Sequence, residues 1–157
     1  MKTLVLGLGN PLLSDDGVGL RVVAALKGRL IDRDVTVTET SMAGLNLLDI
    51  LEGQEKAIVV DAIQTEGGEP GQIYRLDPGA FESTLHASSA HDVNFATALE
   101  LGKRLGLALP KQIVIFGIEA ADTSTVSEEC TPAVEAAIPL CAQMIVREVG
   151  EGDTCIV

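Results

Sequence analysis

The sequence predicts an α/β domain with three layers, α/β/α, built around a five-stranded, mostly parallel sheet with one antiparallel strand. Short, continuously apolar runs alternate with segments whose apolar residues recur every four positions. Hydrophobic residues make up 46% of the chain, aromatic residues only 3%, and tryptophan is absent. Because parallel strands buried on both faces are aliphatic runs covered by crossover helices, this combination indicates a helix-covered sheet.

Five segments have the pattern of strands. Residues 2–8 and 57–60 are apolar throughout most of their length, which predicts strands buried on both faces. Residues 35–39 alternate valine with threonine, as expected of a strand nearer the sheet edge. Residues 72–76 follow a turn rich in glycine and proline, too soon for a helical crossover, so this strand should be antiparallel. Residues 113–117 are the fifth strand.

Helices are predicted between these strands. One apolar stripe follows the first strand, formed by Val18, Val22, Leu26 and Leu30. A short helix carrying Leu45, Leu48 and Leu51 should begin at Ser41 as N-cap. The stretch 77–90 is expected to be a long loop.

Two further helices complete the α layers. Ser89 and Asp92 resemble a capping box that would begin a helix ending near Gly106. Thr131 and Pro132 suit the start of a final helix. Its inward face would carry Val134, Ile138, Cys141 and Ile145. We therefore expect one domain, residues 1–150, and a C-terminal tail, residues 151–157.

Charge and composition exclude several functions. The net charge of −12 opposes binding to nucleic-acid phosphates, which depends on many Lys and Arg contacts. The apolar stretch at the N-terminus is too short for a signal peptide or a spanning helix, so we expect a cytoplasmic protein that does not bind membranes. We also expect a monomer. The three cysteines form no CxxC pair, and the acidic neighbours Glu128 and Glu129 should oppose thiolate formation at Cys130.

Polar residues collect where the predicted strands end. In open α/β sheets, ligands bind beyond the carboxyl ends of strands, at the point where strand order reverses. The candidates there are Asp15, Asp16, Asp61, Glu119 and His91. Carboxylates and a histidine would suit nickel or zinc and would leave coordination positions open.

Structural roles for the same residues remain open. Asp15 or Asp16 could be the N-cap of the first helix, and Asp61 could cap a turn. His91 could be a surface or capping residue, and Glu119 could be solvated or paired. His86 has no carboxylate near it in sequence and is expected to be exposed.

The segment GLGNPLLSDDGVG, residues 7–19, closely resembles the opening signature of the hydrogenase maturation endopeptidases. The same family's landmarks follow in order at residues 61–62, 89–91, 117–119 and 131–136. This resemblance implies an endopeptidase of aspartic or metal-dependent type that removes the C-terminal extension of a nickel-loaded hydrogenase large-subunit precursor.

The resemblance also implies the site. Asp16, Asp61 and His91 would be the catalytic residues and the metal ligands, and Gly9, Asn10 and Gly44 would bind the substrate. The nickel would be carried by the substrate and not held tightly by the resting protease.

Three other functions are considered. Gly7 and Gly9 begin a GxGxxG dinucleotide-binding pattern, but the third glycine position holds Leu12. The first residues of the signature also resemble peptidyl-tRNA hydrolases, which need a basic surface and a histidine where this chain has Leu20. A noncatalytic nickel chaperone on the same fold is the third alternative.

Overall fold

The computed structural model describes residues 2–30, 34–41, 44–84 and 95–154. Its five strands form one sheet in the order β2-β1-β3-β5-β4, where β1 is Thr3–Leu8, β2 Val35–Thr40, β3 Lys56–Ile63, β4 Ile73–Leu76 and β5 Gln112–Glu119. All neighbouring pairs are parallel except β4 and β5, which are antiparallel. The predicted fold class is confirmed, including β2 near the edge and one antiparallel strand.

The burial of each strand follows its position in the sheet. Every residue of β1 and β3 is buried, since both strands have neighbours on two sides and helices on two faces. The edge strand β2 is only partly buried, as its alternating valines and threonines predicted. Strand β3 is longer than predicted because Lys56, Asp61, Ala62 and Ile63 also belong to it.

Two helices cover one face of the sheet. Helix α1, Val18–Leu26, packs against α5, Pro132–Thr154. The core of this layer includes the residues predicted to face inward on α5, namely Val134, Ile138, Cys141 and Ile145. Leu30 lies beyond the end of α1 but still packs against this core. Helix α5 continues four residues past the predicted domain boundary at residue 150, and that boundary stays a prediction.

Three helices cover the other face: α2, Leu47–Leu51, α3, Pro78–Glu82, and α4, Phe95–Arg104. The prediction of Ser41 as N-cap was wrong, since a 3-10 helix at Gly44–Asn46 precedes α2 and Asn46 is the residue before it. Leu45 lies in that 3-10 helix and is exposed, whereas Leu48 and Leu51 are buried.

Helix α3 replaces the first part of the predicted loop 77–90. The Asp77 carboxylate accepts a hydrogen bond from the Ala80 N–H at 2.7 Å, and Pro78 occupies the first helical position. Residues 85–90 and the predicted capping pair Ser89 and Asp92 lie outside the described residues.

The sheet register places the end of β3 beyond the end of β1. Pairing between these two strands ends at Gly7 and Val60, whereas β3 and β5 remain paired through Ile63 and Glu119. Because α1 and α2 cover opposite faces, the chain order reverses between β1 and β3. Asp61 therefore lies at the topological switch point, where open sheets of this class bind ligands.

No helix in the described part of the chain is both long enough and apolar enough to cross a bilayer.

Candidate functional site

Two aspartates from different segments meet at the switch point. Asp16 lies in a 3-10 helix, Ser14–Gly17, that connects β1 to α1, and Asp61 lies near the end of β3. Both are almost completely buried, with 2% of Asp16 and 1% of Asp61 exposed. We call residues 14–17 the aspartate turn.

The two carboxylates interact electrostatically. Burial raises the pKa of Asp61 well above its usual value, and the nearby charge of Asp16 raises this pKa further, against a smaller opposite effect of a hydrogen bond from the Ala62 N–H. Burial also raises the pKa of Asp16, while the hydrogen bond from the Asn10 N–H lowers it. The pair is therefore costly to ionise fully unless a cation is added.

Few groups satisfy these carboxylates. Asp16 Oδ2 accepts a hydrogen bond from the Asn10 N–H at 3.1 Å, and Asp61 Oδ1 accepts one from the Ala62 N–H at 2.8 Å. Asp16 Oδ1 is buried and has no hydrogen-bond partner among the described residues. Within the described ranges neither aspartate forms a salt bridge. A buried carboxylate oxygen left in this way is unusual, and it could accept a hydrogen bond or bind a cation.

Glycines allow the aspartate turn to lie close to the sheet. A Cβ at Gly9, where φ is +147°, would overlap the Asp16 carbonyl oxygen. A Cβ at Gly19 would overlap the carbonyl oxygens of Leu8 and Val60. Because glycine has no side chain, the aspartate turn packs directly on the end of β1, and the start of α1 packs directly on β1 and β3. This close packing places Asp16 beside Asp61.

Asp15 has a different role from its neighbour. Its Oδ2 accepts hydrogen bonds from the N–H groups of Ala121 and Asp122 at 2.9 and 3.0 Å. Its Oδ1 accepts the Thr131 N–H at 2.7 Å, and the Thr131 hydroxyl lies within 3.0 Å of both oxygens. Asp15 thereby holds the segment after β5 and the start of α5 against the aspartate turn.

Glu119 is also committed to structure. It is buried, and its carboxylate accepts hydrogen bonds from the N–H and hydroxyl of Thr65, the former at 2.9 Å. Of the two structural roles that the sequence left open for Glu119, solvated or paired, the structure shows the paired one. Neither Asp15 nor Asp16 caps α1, since Gly17 precedes that helix without any side-chain cap, so the N-cap alternative was wrong.

The structure thus brings together two of the predicted ligands, Asp16 and Asp61. Within residues 2–30, 34–41, 44–84 and 95–154, no three His, Cys, Asp or Glu side chains converge as a metal site. His91, and His86 with it, lies outside the described residues, so the triad as a whole stays a prediction.

Comparison with known proteins identifies the family of this chain. Residues 20–148 match the family model of the HycI hydrogenase maturation proteases. The hydrogenase 2 maturation protease of Escherichia coli is 30% identical over 156 residues, covering 96% of this chain and 92% of that protein. The chain belongs to the hydrogenase maturation protease family.

Further relatives extend the comparison. A putative hydrogenase maturation protease of Methanocaldococcus jannaschii is 32% identical, over 87% of this chain and 92% of that protein. The solved structure of the hydrogenase maturating endopeptidase HybD from E. coli superposes with a TM-score of 0.83 at 28% identity, covering 97% of this chain and 94% of that one. Membership of this protease family confirms the resemblance drawn from residues 7–19 and decides against a dinucleotide-binding protein or a peptidyl-tRNA hydrolase.

Sequence reasoning missed how this hydrogenase maturation protease family member holds its aspartate turn. Ser14, the first residue of the turn, has a φ of +48°, which is rare for residues other than glycine. Its hydroxyl donates to the Glu129 carbonyl at 3.0 Å. The serine itself carried no signal, because its partner is more than a hundred positions away.

Proposed function

We propose that this family member removes the C-terminal extension of a nickel-loaded hydrogenase large-subunit precursor, using Asp16, Asp61 and His91 to bind the nickel that the substrate carries. One observation carries the proposal: two buried carboxylates lie close enough to raise the pKa of Asp61, neither forms a salt bridge within the described ranges, and Asp16 Oδ1 has no hydrogen-bond partner there. A divalent cation would offset the cost of ionising this pair.

A substrate-borne cation makes cleavage conditional. Without the metal, the pair is costly to ionise and presents no favourable surface to the precursor. With it, the same carboxylates gain a partner, so affinity rises only for loaded precursor. The resting protease then needs no tightly bound metal of its own, and it acts as a monomer in the cytoplasm.

The hydrolytic step requires a base for the attacking water. Asp16 Oδ1 is buried and accepts no hydrogen bond within the described ranges, so Asp16 is our candidate for this base. The metal on the substrate would anchor the precursor and could also polarise the scissile carbonyl. This makes the enzyme an aspartate-dependent endopeptidase whose metal arrives with its substrate.

Substrate contacts complete the proposal. Asn10 lies directly before the residues that lead into the aspartate turn, and its side-chain oxygen accepts the Leu12 N–H at 3.0 Å. Its amide NH₂ group donates to nothing within the described ranges and is available to a substrate carbonyl. Gly44 would let substrate backbone approach closely, and Gly9, which packs against the Asp16 carbonyl, would contact substrate through its own backbone groups.

Incubating the protein with precursor, loaded or not loaded with nickel, tests the proposal. We expect mass spectrometry to show loss of the C-terminal extension only from the loaded precursor. Asp16→Asn, Asp61→Asn and His91→Ala should each abolish this loss, and Asp49→Asn, an exposed carboxylate on α2, is the matched control. Stable binding without cleavage would instead support the noncatalytic chaperone, and cleavage at a normal rate by His91→Ala would disprove the triad.

A further inference from the structure

The segment after β5 forms a short strand edge beside the aspartate turn. Leu13 and Ser127 form a parallel β-bridge. The Ser127 N–H donates to the Leu12 carbonyl at 2.9 Å, and the Ser14 N–H donates to the Ser127 carbonyl at 2.8 Å. Both backbone groups of Ser127 thus point toward residues 12–14. We call residues 126–128 the edge segment.

The other side of the edge segment is open. Because the C=O and N–H of a trans peptide bond point in opposite directions, the Val126 C=O and the Glu128 N–H point away from residues 12–14. No backbone hydrogen bond satisfies them in the part of the chain that the structure describes. This unpaired donor and acceptor on the same side of the chain can pair with an extended peptide, which would add as a further strand.

Exposed apolar side chains flank this edge. Val126 is 80% exposed and Leu12, which lies across the bridge, is 54% exposed. They belong to segments that follow β5 and β1, at the same edge of the sheet as Asp16 and Asp61. An apolar pair beside an open strand edge can accept one side chain of a bound peptide.

The negative charge near the edge segment favours a basic peptide. Glu128 and Glu129 are both exposed, and within the described ranges neither forms a salt bridge. The chain as a whole carries a net charge of −12. A peptide with Lys or Arg opposite Glu128 is therefore favoured, and an acidic peptide is repelled.

We propose that the edge segment binds an extended, basic and apolar segment of the precursor near its scissile bond by β-strand addition. This inference rests on the proposed function, since it concerns the peptide that the same site would cleave. Asp15 fixes the start and end of the segment after β5 to the aspartate turn, through Ala121, Asp122 and Thr131. A peptide held at the edge segment is thus positioned relative to Asp16.

Two variants at one position isolate the backbone contribution. Glu128→Pro removes the outward N–H and the charge, whereas Glu128→Ala removes only the charge. Neither touches the Ser127 groups that form the bridge. We expect KM for nickel-loaded precursor to rise about fivefold or more in Glu128→Pro relative to Glu128→Ala, with kcat within about twofold. Val126→Thr, of similar shape but more polar, should also raise KM.

Calorimetry separates this inference from the proposed function. The probe is a synthetic peptide spanning the precursor's C-terminal extension and the residues before it. We expect the wild-type protein to bind it, Glu128→Pro to bind at least about fivefold more weakly than Glu128→Ala, and a peptide with Lys and Arg replaced by Glu to bind more weakly still. If the wild-type protein does not bind the peptide, or Glu128→Pro binds it and cleaves precursor as Glu128→Ala does, the edge segment is not the docking site. Failure of the wild-type protein to cleave loaded precursor would overturn the proposed function instead, whatever the peptide result.

Discussion

Asp15 and Asp16 are adjacent in sequence and equally buried, yet their surroundings are opposite. Asp15 accepts hydrogen bonds from three backbone N–H groups and one hydroxyl. In the part of the chain that the structure describes, Asp16 accepts one hydrogen bond, and its other oxygen is buried without a partner near a second carboxylate. A buried carboxylate whose hydrogen bonds are all made stabilises the fold. A buried carboxylate that lacks them destabilises the folded protein, and a ligand that supplies the missing contacts removes that destabilisation.

The comparison predicts that, of these two neighbours, Asp16 is the one whose substitution causes the large loss of activity. Asp16→Asn should lower the rate of precursor processing by about a hundredfold or more, because an amide cannot accept the water's proton and binds a cation poorly. The measurement is single-turnover processing of nickel-loaded precursor, with circular dichroism to confirm the fold. Processing within about threefold of wild type would show that the unsatisfied oxygen has no part in the reaction.

The largest loss of stability should arise at Asp15. Asp15→Ala leaves the N–H groups of Ala121, Asp122 and Thr131 without their acceptor, so the free energy of unfolding should fall by about 3 kcal/mol. Urea unfolding measures it. Asp15→Asn, which keeps one acceptor oxygen, should lose less than Asp15→Ala. A fall below about 0.5 kcal/mol in the alanine variant would contradict the anchoring role.

These two aspartates also show what the sequence could and could not predict. The carboxyl ends of parallel strands meet at one edge of a sheet, which predicts that the acidic residues following β1, β3 and β5 lie close together. Only the resemblance to the protease family singles out Asp16 and Asp61 among them. The donors to Asp15 lie more than a hundred positions away, and no local pattern records such a contact. Helix α3 was missed although Asp77 and Pro78 resemble the Thr131 and Pro132 pair that correctly predicted α5.

A smaller effect, with the opposite sign, is expected at Asp61. The pKa of Asp61 is raised in the folded protein, first by burial and then by the Asp16 charge, so ionisation costs stability above the ordinary carboxyl pKa. Asp61→Asn keeps the acceptor for the Ala62 N–H and should raise the free energy of unfolding at pH 7 by about 0.5–2 kcal/mol while abolishing processing.

The pH dependence of this gain in the free energy of unfolding tests whether the buried charge is its cause. Below the unfolded pKa both states of the wild-type protein carry a protonated Asp61, so the advantage of the asparagine variant should disappear as pH falls toward 4. Urea unfolding of both proteins across pH 4–8 measures this. A gain that is independent of pH would indicate a packing effect and not the buried charge.

The smallest effect is expected at Cys130, which lies next to Thr131 in the segment that Asp15 anchors. Burial raises the pKa of the Cys130 thiol to about 11, the charges of Asp15 and Glu135 add to this, and Arg21 opposes it. The thiol therefore resists ionisation, as the sequence predicted, although burial and these two carboxylates are the cause and not Glu128 and Glu129. At pH 7 only about one thiol in ten thousand would be ionised.

The Cys130→Ser variant should process precursor within about twofold of the wild-type rate. Iodoacetamide should alkylate the Cys130 thiol far more slowly than it alkylates the thiol of free glutathione. Rapid alkylation together with loss of processing would show that the thiol takes part in the reaction. The contrast between a structural Asp15 and a catalytic Asp16 would then not account for the whole site.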